Sequence, residues 1–300
     1  MIRRHQVFTP VGRCIYCGST APPLGREHII ALALGGNHIL PRASCAVCAK
    51  ATSSDEQVVV REMFGSVRSK FDLRGHSRTK PAIDLNPVLT IRDGPSGKLL
   101  IDAAHLPTFA IGAQLPPPGI WSDAPLSNSN PPMDLHVWRA SSPIGDWRNA
   151  VGRRIEGQVS LSFPVATLPW GPFNRMLAKI AHGYLQANFR PSTCNALINF
   201  LLPDLVLGRV DTYSHFIGGA EPRPAQPDLL HSLDFVLSRP DRNVSGFDGV
   251  TEVLEVEIGL FRFAGLPIYR VVVATSSHAH SLAEELHQGF TRQHVPRGQR

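Results

Sequence analysis

Four of the five cysteines fall in two Cys-x-x-Cys pairs, Cys14/Cys17 and Cys45/Cys48, with 27 residues between the pairs. Each pair presents two thiols on one side of a tight turn, and two pairs supply the four soft ligands of a tetrahedral structural zinc site. A single pair can equally be a redox motif or an accident. Two pairs at this separation, with Cys194 the only other cysteine, point to Zn2+. Between the pairs stand Glu27 and His28, a hard carboxylate suited to a hard cation beside an imidazole that titrates near neutrality.

The elements that must position these groups follow from the flanking pattern. Arg26 to Ile30 alternates as a strand should, Leu32 and Leu34 continue it, and Gly35-Gly36 permits a reversal. Asn37 to Leu40 reads as a returning strand that ends at Pro41. After the second knuckle, Ala49 to Val67 is mostly good helix-forming sequence, broken at Gly65. The expected order is strand, turn, strand, knuckle, helix.

The run CIYC, EHII, LGG and ASCAVC, leading into a helix, resembles the HNH endonuclease family, whose core is a ββα-metal finger within a zinc-bound treble clef. The resemblance covers roughly residues 10 to 80, continues through Glu56, Arg61, Arg68 and Arg78, and thins beyond that to the stretch from Arg175 to His182. It implies that His28 removes a proton from water and that Glu27 binds a divalent ion, Mg2+ or similar, beside the scissile phosphate. On an ideal strand the two side chains point to opposite faces, so a bulge or twist is required.

Three positions depart from the family pattern. Ala31 stands where a proline is usual, and Arg42 stands where an asparagine is usual, with Asn37 as a displaced substitute. Ala49 follows the second knuckle, where the family commonly has the His or Asn that completes the metal site. Positions 49, 52 and 56 share a helical face, so Glu56 is a candidate replacement ligand and Thr52 a group to orient the ion. The other reading of Glu56 is a solvated helix residue paired with an arginine.

Charge is uneven along the chain. Residues 1 to 80 hold 12 Lys+Arg against five Asp+Glu, whereas residues 81 to 300 hold 18 against 19, so the formal +6 sits in the cysteine-bearing part and its flank. A basic module beside a neutral one suggests nucleic acid as the partner, and the resemblance implies DNA. Arg42, Arg68, Lys70, Arg74, Arg78 and Lys80 are the expected phosphate contacts, the competing reading being a solvated charged surface. No signal peptide or uninterrupted apolar span is apparent, which leads to the expectation of a cytoplasmic protein with no membrane partner, where reduced thiols favour zinc.

Beyond residue 80 the pattern predicts an α+β region. Strands are expected at Ile83 to Ile91 and Leu99 to Ile101 around a turn at 93–97, then at Leu135 to Arg139 and Gln158 to Val165, with a proline-rich loop at about 107–132. A helix from Phe173 to about Phe189, with Pro172 at its start, and a second from Ser192 through Leu202 follow. Lys179 and His182 on the first of these carry no assigned role. Antiparallel strands are expected at Leu233 to Ser238, Val250 to Phe263 and Pro267 to Thr275. Glu252, Glu255 and Glu257 are read as structural, the latter two as charges on an outer strand face, and Cys194 as a core residue.

The sequence therefore predicts an α+β protein with two parts. Residues 1–80 form an HNH-like, zinc-bound ββα-metal treble clef, and residues 81–300 form a larger α+β region with antiparallel strands and one or two helices. The function expected is metal-dependent hydrolysis of phosphodiester bonds in DNA. The alternative is a zinc-stapled nucleic-acid- or protein-binding module whose hydrolytic site has decayed.

Overall fold

The computed structural model describes residues 5–73, 88–91, 96–98, 108–121, 134–140, 159–162, 168–189, 201–210, 213–239 and 252–275. The fold is α+β, with mostly antiparallel sheets and few helices.

The cysteine-bearing part is built on an antiparallel hairpin of β2 (Leu24–His28) and β3 (His38–Cys45), with β1 (Gln6–Val7) parallel on the other edge of β3. The reversal differs from the expected two-glycine turn. Leu32–Leu34, expected to continue the strand, form a 3-10 turn that ends on Gly35 at φ +83. Gly36 is needed for a different reason: a Cβ there would lie 2.0 Å from the Ile30 carbonyl oxygen.

The second strand does not stop at Pro41 but runs on into Cys45. Proline is tolerated because the ladder is broken there, with Glu27 opposite Leu40 and Gly25 opposite Ser44. Arg42, at φ +51, lies within this irregularity. The freed backbone of β3 is used by the first knuckle: the N–H groups of Val11, Gly12 and Ile15 donate to the carbonyls of Pro41, Arg42 and Ala43 at 2.8–3.1 Å. These bonds carry Cys14 and Cys17 to the end of β3, where Cys45 and Cys48 begin the next helix.

The expected single helix is two, α1 (Ala46–Glu62) and α2 (Gly65–Lys70). The break falls at Met63 and Phe64, both buried, and Gly65 opens the second helix rather than breaking the first.

The remainder centres on α3 (Trp170–Asn188), which begins three residues earlier than Phe173 and holds Pro172 in its first turn. One side of α3 packs on α1 and another on a four-stranded sheet. Its strands, β9 (Ile217–Gly219), β10 (His231–Ser238), β11 (Val253–Leu260) and β12 (Ile268–Thr275), pair antiparallel as the alternation predicted for the last three. Phe173 meets Tyr269 edge-on with ring centroids 5.1 Å apart, and Tyr184 stacks on Phe235 at 4.7 Å. Buried residues from Cys14 to Ala274, including Ile29, Val59, Leu177 and Val256, form one continuous cluster. The expected boundary near residue 80 lies outside the described residues.

Smaller sheets join β4 (Val88–Ile91) to β5 (Ser96–Lys98) and β8 (Val159–Ser162), and β6 (Thr108–Gln114) to β7 (Asp134–Ala140). The expected loop at 107–132 thus contains a strand at its start, whose Ala110 and Ala113 are buried. Leu99 to Ile101, Ser192 and Cys194 lie outside the described residues, and the short helix seen after them is Leu201–Val206. No helix among the described residues is long and apolar enough to cross a membrane.

Candidate functional site

The four predicted zinc ligands come together. The sulfurs of Cys14, Cys17, Cys45 and Cys48 all lie within 4.8 Å of one another, and those of Cys17 and Cys45 are 3.8 Å apart. A tetrahedral ion with ~2.3 Å metal–sulfur bonds sets its ligands about 3.8 Å apart. The cluster is therefore compatible with zinc in number, softness and spacing. Cys45 is the residue preceding the first turn of α1, whose unpaired N–H groups favour an anion. The backbone N–H of Cys48 foremost draws the Cys45 thiol down to about 7, while burial pushes the Cys14 and Cys48 thiols up.

A second cluster lies under the hairpin, where β2, α1 and α3 meet. Glu27 and Glu56, from the strand and the helix, converge on one cation, and that cation is the ammonium of Lys179 on α3. Its Nζ is 2.8 Å from Glu27 Oε1 and 2.7 Å from Glu56 Oε1, and it also donates to the His28 carbonyl. Lys179 is 2% exposed. The two carboxylates and the carbonyls of His28 and Ile29 thus surround the ammonium, although Glu56 Oε1 meets it as an ion pair without hydrogen-bond geometry. Burial alone would lower the Lys179 pKa, but the two carboxylates outweigh it and the net shift is upward. Burial raises Glu56, partly opposed by Lys179. The phenol of Tyr16, inside the first knuckle, is also buried, and burial followed by the charges of Glu27 and Glu56 pushes it well up.

Two further contacts clip α3 to the same surface. Arg175 forms a two-pronged ion pair with Asp55 of α1, Nε to Oδ2 at 2.7 Å and Nη2 to Oδ1 at 2.6 Å. His182 Nε2 is 2.7 Å from the Ile15 carbonyl, so the ring is protonated on Nε2, and burial lowers its pKa to about 4. Arg175, Lys179 and His182 follow one another at i, i+4 and i+7, a single helical stripe. A shallow cleft, partly open to solvent but too narrow to hold a water molecule, is lined by Thr52, Asp55, Glu56, Arg175, Met176, Lys179 and Val206.

The other predicted site residues are distributed differently. His28 is half-buried and pairs with Ile39 in the rung after Glu27 and Leu40, so the two side chains leave opposite faces of the hairpin. The required irregularity exists, but one step too early: it falls between Gly25 and Glu27. Asn37 lies one residue before β3, where its carbonyl accepts the Gln6 N–H at 2.9 Å. Thr52, expected to orient an ion, instead donates to the carbonyls of Cys48 and Ala49. Glu56 is paired with a lysine rather than solvated beside an arginine.

Among the expected phosphate contacts, Arg42 and Lys70 are exposed. Arg68 is half-buried, and its Nε donates to the Ala33 carbonyl at 2.7 Å, tying α2 to the hairpin turn. Arg74, Arg78 and Lys80 lie outside the described residues. One correction concerns Glu255 and Glu257, expected on an outer face: they are 0% and 2% exposed. Glu255 accepts from Trp121 Nε1 and Ser238 Oγ, each at 3.0 Å, and Glu257 from Arg270 at 2.8–3.0 Å. Glu252 pairs with Arg239. The structural reading of these acids stands on buried ion pairs rather than solvation.

Lys179 is the buried charge at this junction to which the sequence pattern assigned no role. The signal for it was the stripe of Arg175, Lys179 and His182 on a helix whose remaining positions are nearly all apolar. No family model, no curated protein and no solved structure matches the chain.

Proposed function

We propose that the chain is a nuclease of the HNH type, a zinc-bound treble clef that hydrolyses phosphodiester bonds in DNA. The observation that carries this reading is the convergence of Glu27 and Glu56 on one cation position, 2.8 and 2.7 Å from its centre. Glu56 stands about two helical turns beyond Ala49 on the same face and supplies the ligand that Ala49 lacks. Two hard oxygens from a strand and a helix suit a divalent ion in ligand type, and Glu27 and Glu56 would hold it. Such an ion supplies charge stabilisation to the phosphate and the leaving oxygen. His28, half-buried on the neighbouring rung and the opposite face of β2, is the candidate to accept the proton of water, which requires a rearrangement of the hairpin that brings its ring to the side of Glu27. Arg42 and Lys70 hold phosphates, and burial of Glu27 limits access of bulk water to it.

A second reading is a zinc-stapled nucleic-acid- or protein-binding module without hydrolysis. One observation favours it: the Lys179 ammonium already satisfies both carboxylates. Plasmid nicking with zinc-loaded protein, with and without Mg2+ or Mn2+, separates the two. The nuclease reading expects metal-dependent nicking that His28→Ala reduces by about 10² to 10⁴ with zinc content unchanged. Absence of cleavage on duplex, single-stranded and branched DNA in every metal would leave the binding module.

A further inference from the structure

Buried charges are costly, and the described chain places two of them, Lys179 and Glu27, beside the partly buried Glu56 at one junction. Lys179 reaches Glu27 and Glu56 from α3, an element that also packs on the β11–β12 sheet. Its ammonium also donates to the His28 carbonyl, with the Ile29 carbonyl at 3.4 Å. No helical ligand at position 49 competes for the carboxylates, and the Thr52 hydroxyl is committed to the backbone. On either side of Lys179, Arg175 is held by Asp55 and His182 by the Ile15 carbonyl, so the ammonium is delivered by a helix fixed above and below it.

We propose that Lys179 is the resident cation of this site and the positioning residue that sets its divalent-ion requirement. An ion reaches Glu27 and Glu56 only by displacing the ammonium, and displacement loosens α3 from the hairpin. The inference rests on the nuclease reading for the identity of the ion. Two cations compete for one pair of carboxylates, so occupancy by one weakens the other by the same factor. The arrangement makes α3, and with it the sheet behind it, responsive to the ion. Anything that withdraws α3 raises ion affinity, and ion binding in turn frees the lysine.

The test uses full-length, zinc-loaded protein and Mn2+ as the probe. Free Mn2+ is followed by electron paramagnetic resonance in wild type, Lys179→Met and Lys179→Met/Glu27→Gln. Removing a unit charge at this distance is expected to tighten Mn2+ binding by at least about tenfold in Lys179→Met, with the gain abolished in the double variant. In parallel, wild type is treated with an amine-reactive reagent, and labelling of Lys179 is read by peptide mass spectrometry. Labelling is expected to be low without Mn2+ and to rise at saturating Mn2+, a measurement that stands even if Lys179→Met fails to fold. Equal Mn2+ affinity in wild type and Lys179→Met, with unchanged labelling, overturns the displacement while leaving metal-dependent cleavage intact. Absence of any Glu27-dependent Mn2+ site in both proteins overturns the displacement and the metal-dependent reading together.

Discussion

The imidazole Nε2 of His182 lies 2.7 Å from the carbonyl oxygen of Ile15, so a side chain of α3 closes a backbone bond inside the first cysteine knuckle. The ring is fully buried, and burial lowers its pKa from 6.5 to about 4. Between those values the unfolded chain binds a proton that the folded chain refuses. The stabilisation is therefore complete above about pH 6.5 and is lost as pH falls towards 4, by about 3 kcal/mol. Urea denaturation across this range is expected to show that slope, and His182→Gln to flatten its share of it. An unchanged slope in the variant would assign the acid lability elsewhere.

The four-cysteine cluster predicts near-stoichiometric zinc. In small sites of this kind the metal contributes ~10 kcal/mol or more to folding. Cys45→Ser is expected to lose zinc and to unfold the hairpin and α1, seen as reduced ellipticity and rapid proteolysis. Normal folding of the variant without metal would remove zinc from the account.

Arg175 and Asp55 join α3 to α1 through two short bonds with both side chains about one-fifth exposed. Arg175→Ala or Asp55→Ala is expected to cost about 2 kcal/mol each by leaving a partly buried partner uncompensated. The double variant should cost less than the two singles combined. Additive losses in a denaturation double-mutant cycle would mean that the pair is not energetically coupled.

Lys70 and Arg68, two positions apart on α2, should behave differently. Lys70→Glu is expected to leave stability unchanged and to reduce the salt slope of DNA binding by ~0.9 for each phosphate it no longer neutralises. Arg68→Ala should instead destabilise by about 1 kcal/mol, because the Ala33 carbonyl loses its donor. Thermal melts and binding isotherms at several salt concentrations measure both. An Arg68 variant of normal stability with a reduced slope would reverse this assignment.

The sequence by itself determined the zinc-compatible set, because Cys-x-x-Cys spacing acts within one turn and leaves few other geometries for four thiols. It also determined α3 and strands β10 to β12, whose helical and alternating apolar patterns are local. Local pattern misplaced the hairpin turn, since Leu32 and Leu34 alternate like a strand yet form a 3-10 turn, after which Gly36 packs too close to Ile30 for any side chain. Tertiary structure alone decided the partners of charge. A lone lysine on an amphipathic helix reads as solvated until the helix is placed, and Lys179 meets Glu27 and Glu56 only because α3 lies between the hairpin and the sheet. Glu255 and Glu257 follow the same rule: their alternation is visible in one strand, but whether that face meets water or Trp121 and Arg270 depends on chain far away. Burial is a property of the assembled layers, and the cost of burying charge is what selects its partner.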